Sequence, residues 1–150
     1  MKDRIECLSD IFGRIFCKEK YQSAVVFFEW HGPKSFAGNH YDVVEDMSID
    51  LLDITPYKKG YIAPEELLSR YGDIVGIPAL LHRGKIDQEL IESVQNDNLK
   101  VISFEGVVCK SINTFAKEGG PLMCKIKTQK WLDKLKLHCN GDEKLYEKLK

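Results

Sequence analysis

The chain has no long hydrophobic run and no excess of either charge. Its longest apolar stretches, such as residues 24–28, are far shorter than the roughly 20 residues that cross a bilayer, so we expect no membrane partner. The 22 Lys and Arg residues nearly balance the 23 Asp and Glu residues, which leaves a formal charge of −1. Without a general positive field, any binding of nucleic acid would have to depend on a local basic patch.

The cysteines lack the spacing of a metal site or a disulfide scaffold. There are five of them, no C-x-x-C pair occurs, and the four histidines are scattered. The first residues, MKDRIECLSD, lack the charged-then-apolar build of a signal peptide. These absences predict a protein of the reducing cytoplasm. They also favour Cys109 and Cys124 as buried structural thiols over a redox pair.

The composition and the hydrophobic patterns predict one α+β domain over residues 1–150. Apolar residues are 43% of the chain and charged residues 30%, as in soluble globular proteins. Helical periodicity covers residues 3–19, and β-branched and aromatic residues predict a buried strand over 23–30. The pattern then predicts a loop over 31–39, a strand over 48–55, a turn over 56–60, a returning strand at 61–62 and the start of a helix at 63–66.

The second half of the chain predicts further short elements in mixed order. We expect a short strand over 73–81, a helix over 86–94, strands over 100–110 and 121–127, and helices over 128–137 and 142–149. Interleaved helices and strands joined by tight turns favour antiparallel pairing. The predicted fold is therefore α+β, with mixed, mostly antiparallel sheets flanked by helices.

Two charged segments stand out in the predicted strands 100–110 and 121–127. In the first, FEGVVCK (104–110), strand alternation would place Glu105 on the face opposite Gly106 and Lys110. A glycine inside a strand indicates close approach of a ligand or of another backbone. In the second, CKIK (124–127), Lys125 and Lys127 would point the same way about 7 Å apart. Such a pair faces either solvent, as is common on exposed strands, or an anion such as phosphate.

These segments, in this order, resemble motifs IV and V of the covalent nucleotidyltransferases, which include ATP-dependent RNA and DNA ligases and mRNA capping enzymes. VFFEW (26–30) resembles motif III, and IDLLDI (49–54) resembles motif IIIa. HGPKSFAGNH (31–40) and ITPYKKGYIAPEELL (54–68) resemble the RNA ligase branch. The resemblance covers roughly residues 20–135 and implies the C-terminal portion of a ligase adenylation domain.

The resemblance also implies roles for individual residues. Glu29 would hydrogen-bond the ribose of ATP or AMP, and Glu105 would lie at the phosphates and help to hold Mg²⁺ or Mn²⁺. Lys125 and Lys127 would be catalytic, stabilising the charge that develops on the α-phosphate. Lys110 would also face phosphate. Two carboxylates and three ammonium groups suit phosphoryl transfer, which depends mainly on positioning and charge neutralisation.

Two departures from the family pattern limit these implications. The nucleophilic lysine of motif I, in a K-x-D-G setting, does not occur in the chain, and Leu52 stands where an aromatic residue usually stacks on adenine. The chain would therefore bind ATP for joining RNA or DNA ends but would not adenylate itself. It would be a fragment, the product of a split or truncated gene, or half of a two-chain enzyme whose partner supplies motif I. A non-catalytic nucleotide- or nucleic-acid-binding module and an unrelated α+β domain are the alternatives.

Overall fold

The computed structural model describes residues 2–31, 48–115 and 120–150, which contain five helices and four strands. The predicted α+β class is confirmed, with two small antiparallel sheets. The chain divides into two compact units, Met1–Pro78 with Ser111–Leu122 and Ala79–Lys110 with Met123–Lys150. The single domain over 1–150 stays a prediction. None of the described helices has the length and apolar character that a membrane span requires.

The first unit contains α1 (Lys2–Glu19), β1 (Ala24–His31), β2 (Ser48–Pro56) and α2 (Pro64–Tyr71). β1 and β2 pair antiparallel, with a bulge at which Phe27 lies opposite Asp53 and Phe28 opposite Leu51. Pro64 lies in the first turn of α2, where a missing backbone N–H costs no helical hydrogen bond. The buried core of this unit consists of Ile15, Leu51, Ile54, Ile62, Leu67 and Tyr71.

The expectation that strand 23–30 is buried is wrong. Ala24 and Val26 pack against the core, but Val25 is 57% exposed and Phe27 41% exposed. In a two-stranded sheet packed on one face, alternate side chains point to solvent. Phe27 is partly covered by the Tyr61 ring, which stacks on it with a centroid separation of 6.0 Å.

Three of the predicted strands are absent or shorter than expected. Segment 73–81 forms only one isolated bridge, between Gly76 and Asp50, and Pro78 has no N–H to donate to a ladder. Residues 61–62 are not a strand, although the Ile62 backbone N–H donates to the Ile54 carbonyl at 3.2 Å. Residues 100–105 are not in a strand. Most of the predicted loop 31–39 lies outside the described residues, and His31 belongs to β1.

The second unit contains α3 (Gln88–Gln95), α4 (Gln129–Cys139) and α5 (Glu143–Leu149), together with parts of β3 (Gly106–Phe115) and β4 (Pro121–Lys127). Each helix begins at a side-chain cap. Asp87, Thr128 and Asp142 accept hydrogen bonds from the backbone N–H groups of Leu90, Trp131 and Leu145 respectively. These caps place the helix starts within two residues of the predicted positions.

β3 and β4 pair as the second antiparallel sheet. The Thr128 backbone N–H donates to the Glu105 carbonyl at 3.1 Å, immediately before β3 and after β4. Counting inward from that pair places Cys109 directly opposite Cys124 and Val108 opposite Lys125. The sheet therefore brings the two charged segments of the sequence side by side.

Candidate functional site

The first component of the candidate site is a bend that precedes β3. Glu105 lies in this bend, not in the strand as the sequence pattern predicted. The Ser103 hydroxyl donates to the Gly106 carbonyl at 2.7 Å, and the Gly106 N–H lies 3.2 Å from the Ser103 hydroxyl oxygen. These local hydrogen bonds turn the chain just before the strand, so the strand alternation that predicted the direction of Glu105 does not apply to it.

Gly106 allows the bend to meet β4 closely. A Cβ atom at this position would lie 2.0 Å from the Ile126 carbonyl oxygen and 2.9 Å from the Lys127 Cα. The Gly106 φ is +130°, a value that residues other than glycine rarely adopt. The sequence indicated that either a ligand or another backbone approaches this glycine closely. The structure shows the close approach of another backbone, that of β4.

Thr128 fastens the bend to the start of α4. Its side chain is 1% exposed, and its hydroxyl donates to the Phe104 carbonyl at 2.5 Å while accepting from the Trp131 N–H at 3.1 Å. Its own backbone N–H donates to the Glu105 carbonyl. One hydroxyl can donate and accept at once, so a single buried residue holds two backbone segments together.

Lys125 and Lys127 converge on one carboxylate. Lys127 Nζ donates to Glu105 Oε1, and Lys125 Nζ lies 3.6 Å from the same oxygen. Both lysines therefore point the same way from β4, as the K-x-K spacing predicted. The anion that they face is the protein's own carboxylate. The Lys127 side chain is 12% exposed, whereas that of Lys125 is 61% exposed.

Trp131 supplies an aromatic surface beside the charges. Lys127 Nζ lies 4.1 Å from the centroid of the Trp131 ring, within the range of a cation–π interaction. No sequence pattern connected Trp131 with Lys127. The sequence feature that could have predicted this contact is the cap residue Thr128. A helix that begins directly after β4 places its first turn, which contains Trp131, beside the end of the strand.

The electrostatics of the cluster keep Glu105 ionised. Partial burial acts to raise the pKa of Glu105, but the hydrogen bond and charge of Lys127, together with the charge of Lys125, outweigh it. The pKa of Glu105 therefore lies below its ordinary value. At neutral pH the cluster contains one negative and two positive charges, which leaves an excess positive charge at the surface.

The two remaining predicted site residues are Lys110 and Glu29. Lys110 is half-buried on β3, two residues beyond Val108 and therefore on the same sheet face as Lys125. Glu29 belongs to the first unit, where it is exposed on β1 opposite Asp50. The structure thus groups Glu105, Lys125 and Lys127, and the predicted ribose contact of Glu29 stays a prediction.

The predicted Mg²⁺ or Mn²⁺ site does not fit the donor set of this cluster. Within residues 2–31, 48–115 and 120–150, no group of three or more His, Cys, Asp or Glu side chains is arranged to hold a metal ion. Glu105 faces two ammonium groups, whose field opposes the approach of a divalent cation. We therefore assign no chemical step to a metal.

A separate cleft of about 190 Å³ lies in the first unit. Tyr21, Pro56, Tyr57 and Lys59 are among the residues that line it. None of the five predicted nucleotide-binding residues lines this cleft. The basic cluster of the second unit therefore remains the candidate site on chemical grounds.

No protein-family model matches the sequence, and comparisons with curated proteins and with solved structures also find no match. Membership of the nucleotidyltransferase superfamily therefore stays a prediction from the motifs.

Proposed function

We propose that the chain binds ATP or AMP as a segment of an RNA- or DNA-ligase-like nucleotidyltransferase, with Lys125 and Lys127 holding the phosphate. The observation that carries this proposal is the convergence of both ammonium groups on the Glu105 carboxylate. Both ammonium groups already lie close to the same oxygen atom, Glu105 Oε1. A phosphate group, with several oxygens and a higher charge, can take the place of that carboxylate.

Binding in this arrangement is an exchange of anions. Lys125 is largely exposed and can turn to an incoming phosphate without loss of packing, while Lys127 is held beside the Trp131 ring. The displaced Glu105 carboxylate moves to solvent, which its half-exposed side chain already meets. Lys110, on the same face of the sheet, adds positive charge to the surface that the nucleotide approaches.

The same groups suit transfer as well as binding. Two ammonium groups at an α-phosphate stabilise the negative charge that builds up on its oxygens when a nucleophile attacks. The sequence contains no K-x-D-G lysine, so the nucleophile for adenylation would have to come from outside these 150 residues, and the acceptors would be RNA or DNA ends.

We expect Lys125→Gln to weaken AMP binding about tenfold, equivalent to 1.4 kcal/mol. A charge-assisted hydrogen bond contributes about this much, and the exposed side chain can be neutralised without disturbing the core. Isothermal titration calorimetry of AMP against the wild-type chain and the variant measures the change. Lys136→Gln, which removes the same charge from an exposed position on α4, is the matched control and should bind like the wild type. Equal affinities for all three chains would place the nucleotide elsewhere.

Glu105→Gln should have the opposite effect in the absence of magnesium. Removing the competing carboxylate charge frees both ammonium groups, so AMP should bind a few-fold more tightly, by about 0.5–1 kcal/mol. The same titration in a chelating buffer tests this. Weaker binding by this variant without any metal would mean that Glu105 contacts the nucleotide directly and would contradict the exchange of anions.

A further inference from the structure

The two central cysteines of the β3–β4 sheet lie directly opposite each other. The Thr128–Glu105 backbone hydrogen bond, the close approach of Gly106 to Lys127 and the bond from the Leu122 N–H to the Ser111 hydroxyl all indicate the same register. In that register Cys109 and Cys124 are opposite each other, four residues inward from Glu105 and Thr128. Directly opposed residues of antiparallel strands have Cα atoms about 4.5–5.5 Å apart. A disulfide requires a Cα separation of about 4.4–6.8 Å, so the backbone already meets this condition.

The state of the two thiols corrects the expectation from sequence that both are buried. Both are free, but Cys124 is exposed and Cys109 is half-buried. Their side chains are hydrogen-bonded to each other. Burial, followed by the charge of Cys124 and this hydrogen bond, raises the pKa of the Cys109 thiol. The exposed Cys124 is therefore the sulfur that a soluble oxidant meets first.

We propose that Cys109 and Cys124 form a reversible disulfide across the sheet, with a low-molecular-weight disulfide as the oxidant. The Cys124 thiolate attacks the oxidant, forms a mixed disulfide and releases one small thiol. The Cys109 thiolate then attacks the Cys124 sulfur and releases the second. Two protein thiols are oxidised, one small disulfide is reduced to two thiols, and the two protons leave with those thiols.

The bond would control the register of the strands that carry the candidate site. Cys109 precedes Lys110 and Cys124 precedes Lys125, so the crosslink joins the two strands next to these lysines. A two-stranded sheet is marginally stable by itself, and slippage by one residue would move Lys125 and Lys127 to the opposite face. This is a redox-dependent modification site, and its formation does not require that the chain bind a nucleotide.

The test equilibrates the full chain in buffers with increasing ratios of oxidised to reduced glutathione. Free thiols are then trapped with N-ethylmaleimide, and the chain is digested with trypsin without reduction. We expect mass spectrometry to find peptide 101–110 linked to peptide 118–125, in an amount that rises with the glutathione ratio and disappears after dithiothreitol treatment. The absence of this linked pair, with both peptides carrying glutathione or maleimide at every ratio, would overturn the proposal.

Two variants check the order of the steps and the selectivity. Cys109→Ser should retain glutathione on Cys124, because the thiol that resolves the mixed disulfide is gone. Cys17→Ser removes an exposed thiol on α1 and should form the linked peptides as the wild type does. Links from Cys17 to either peptide in amounts comparable with the 109–124 link would show unselective oxidation and would also overturn the proposal.

Discussion

Gly106→Ala is expected to destabilise the chain by about 3 kcal/mol. The new methyl group would lie within 2.0 Å of the Ile126 carbonyl oxygen, and backbone atoms cannot move aside as a flexible side chain can. Overpacking of this kind costs about 1–3 kcal/mol, and a sparsely populated backbone conformation such as φ +130° adds about 1–3 kcal/mol for a residue with a Cβ. The bend would open and carry Glu105 away from Lys127.

Urea unfolding followed by circular dichroism measures this loss. The matched control is Gly13→Ala on α1, where no atom other than the adjacent helix backbone lies within 4 Å of the new Cβ and the φ is ordinary. Alanine is the better helix former, so this control should stabilise the chain by up to about 1 kcal/mol. Similar unfolding midpoints for the two variants would mean that β4 does not approach Gly106 as closely as the structure shows.

The sequence could predict the helices because their signals are local. Apolar spacing predicted α1, and the helices predicted over 128–137 and 142–149 begin within a residue of α4 and α5, where Thr128 and Asp142 form the caps. The exposure of Val25 and Phe27 could not be predicted in this way. Their β-branched and aromatic character indicates a strand, but how many faces of a strand are covered depends on which elements pack against its sheet.

The candidate site was predictable only where its geometry depends on local spacing in the sequence. The K-x-K spacing alone placed Lys125 and Lys127 on one side of a strand, and the structure bears this out. Their contact with Glu105 depends on the bend at Gly106, which strand alternation does not predict. A glycine inside a strand indicates close approach of either a ligand or another backbone, and only the position of β4 decides between the two. The contact of Thr128 with Phe104 spans 24 residues, and no periodicity encodes it.

Thr128→Val is expected to cost about 2–3 kcal/mol at nearly constant side-chain volume. The change removes the cap of α4, a loss of typically about 1 kcal/mol, and removes the Thr128 donor from the part-buried Phe104 carbonyl, a loss of about 1–2 kcal/mol. Urea unfolding gives the total. Thr128→Ser keeps the hydroxyl and should retain most of the stability.

Asp142→Ala distinguishes the two contributions of Thr128, because Asp142 caps α5 at an exposed position with one hydrogen bond to the Leu145 N–H. It should cost about 1 kcal/mol. If Thr128→Val costs no more than Asp142→Ala, Thr128 is a helix cap and the bend is held by other contacts. If Thr128→Val costs more than Asp142→Ala, Thr128→Val should also change AMP affinity. The reason is that the hydrogen bond from Thr128 to Phe104 sets the position of the adjacent Glu105 carboxylate between the two lysines. Stability and phosphate binding would then depend on one buried hydroxyl group.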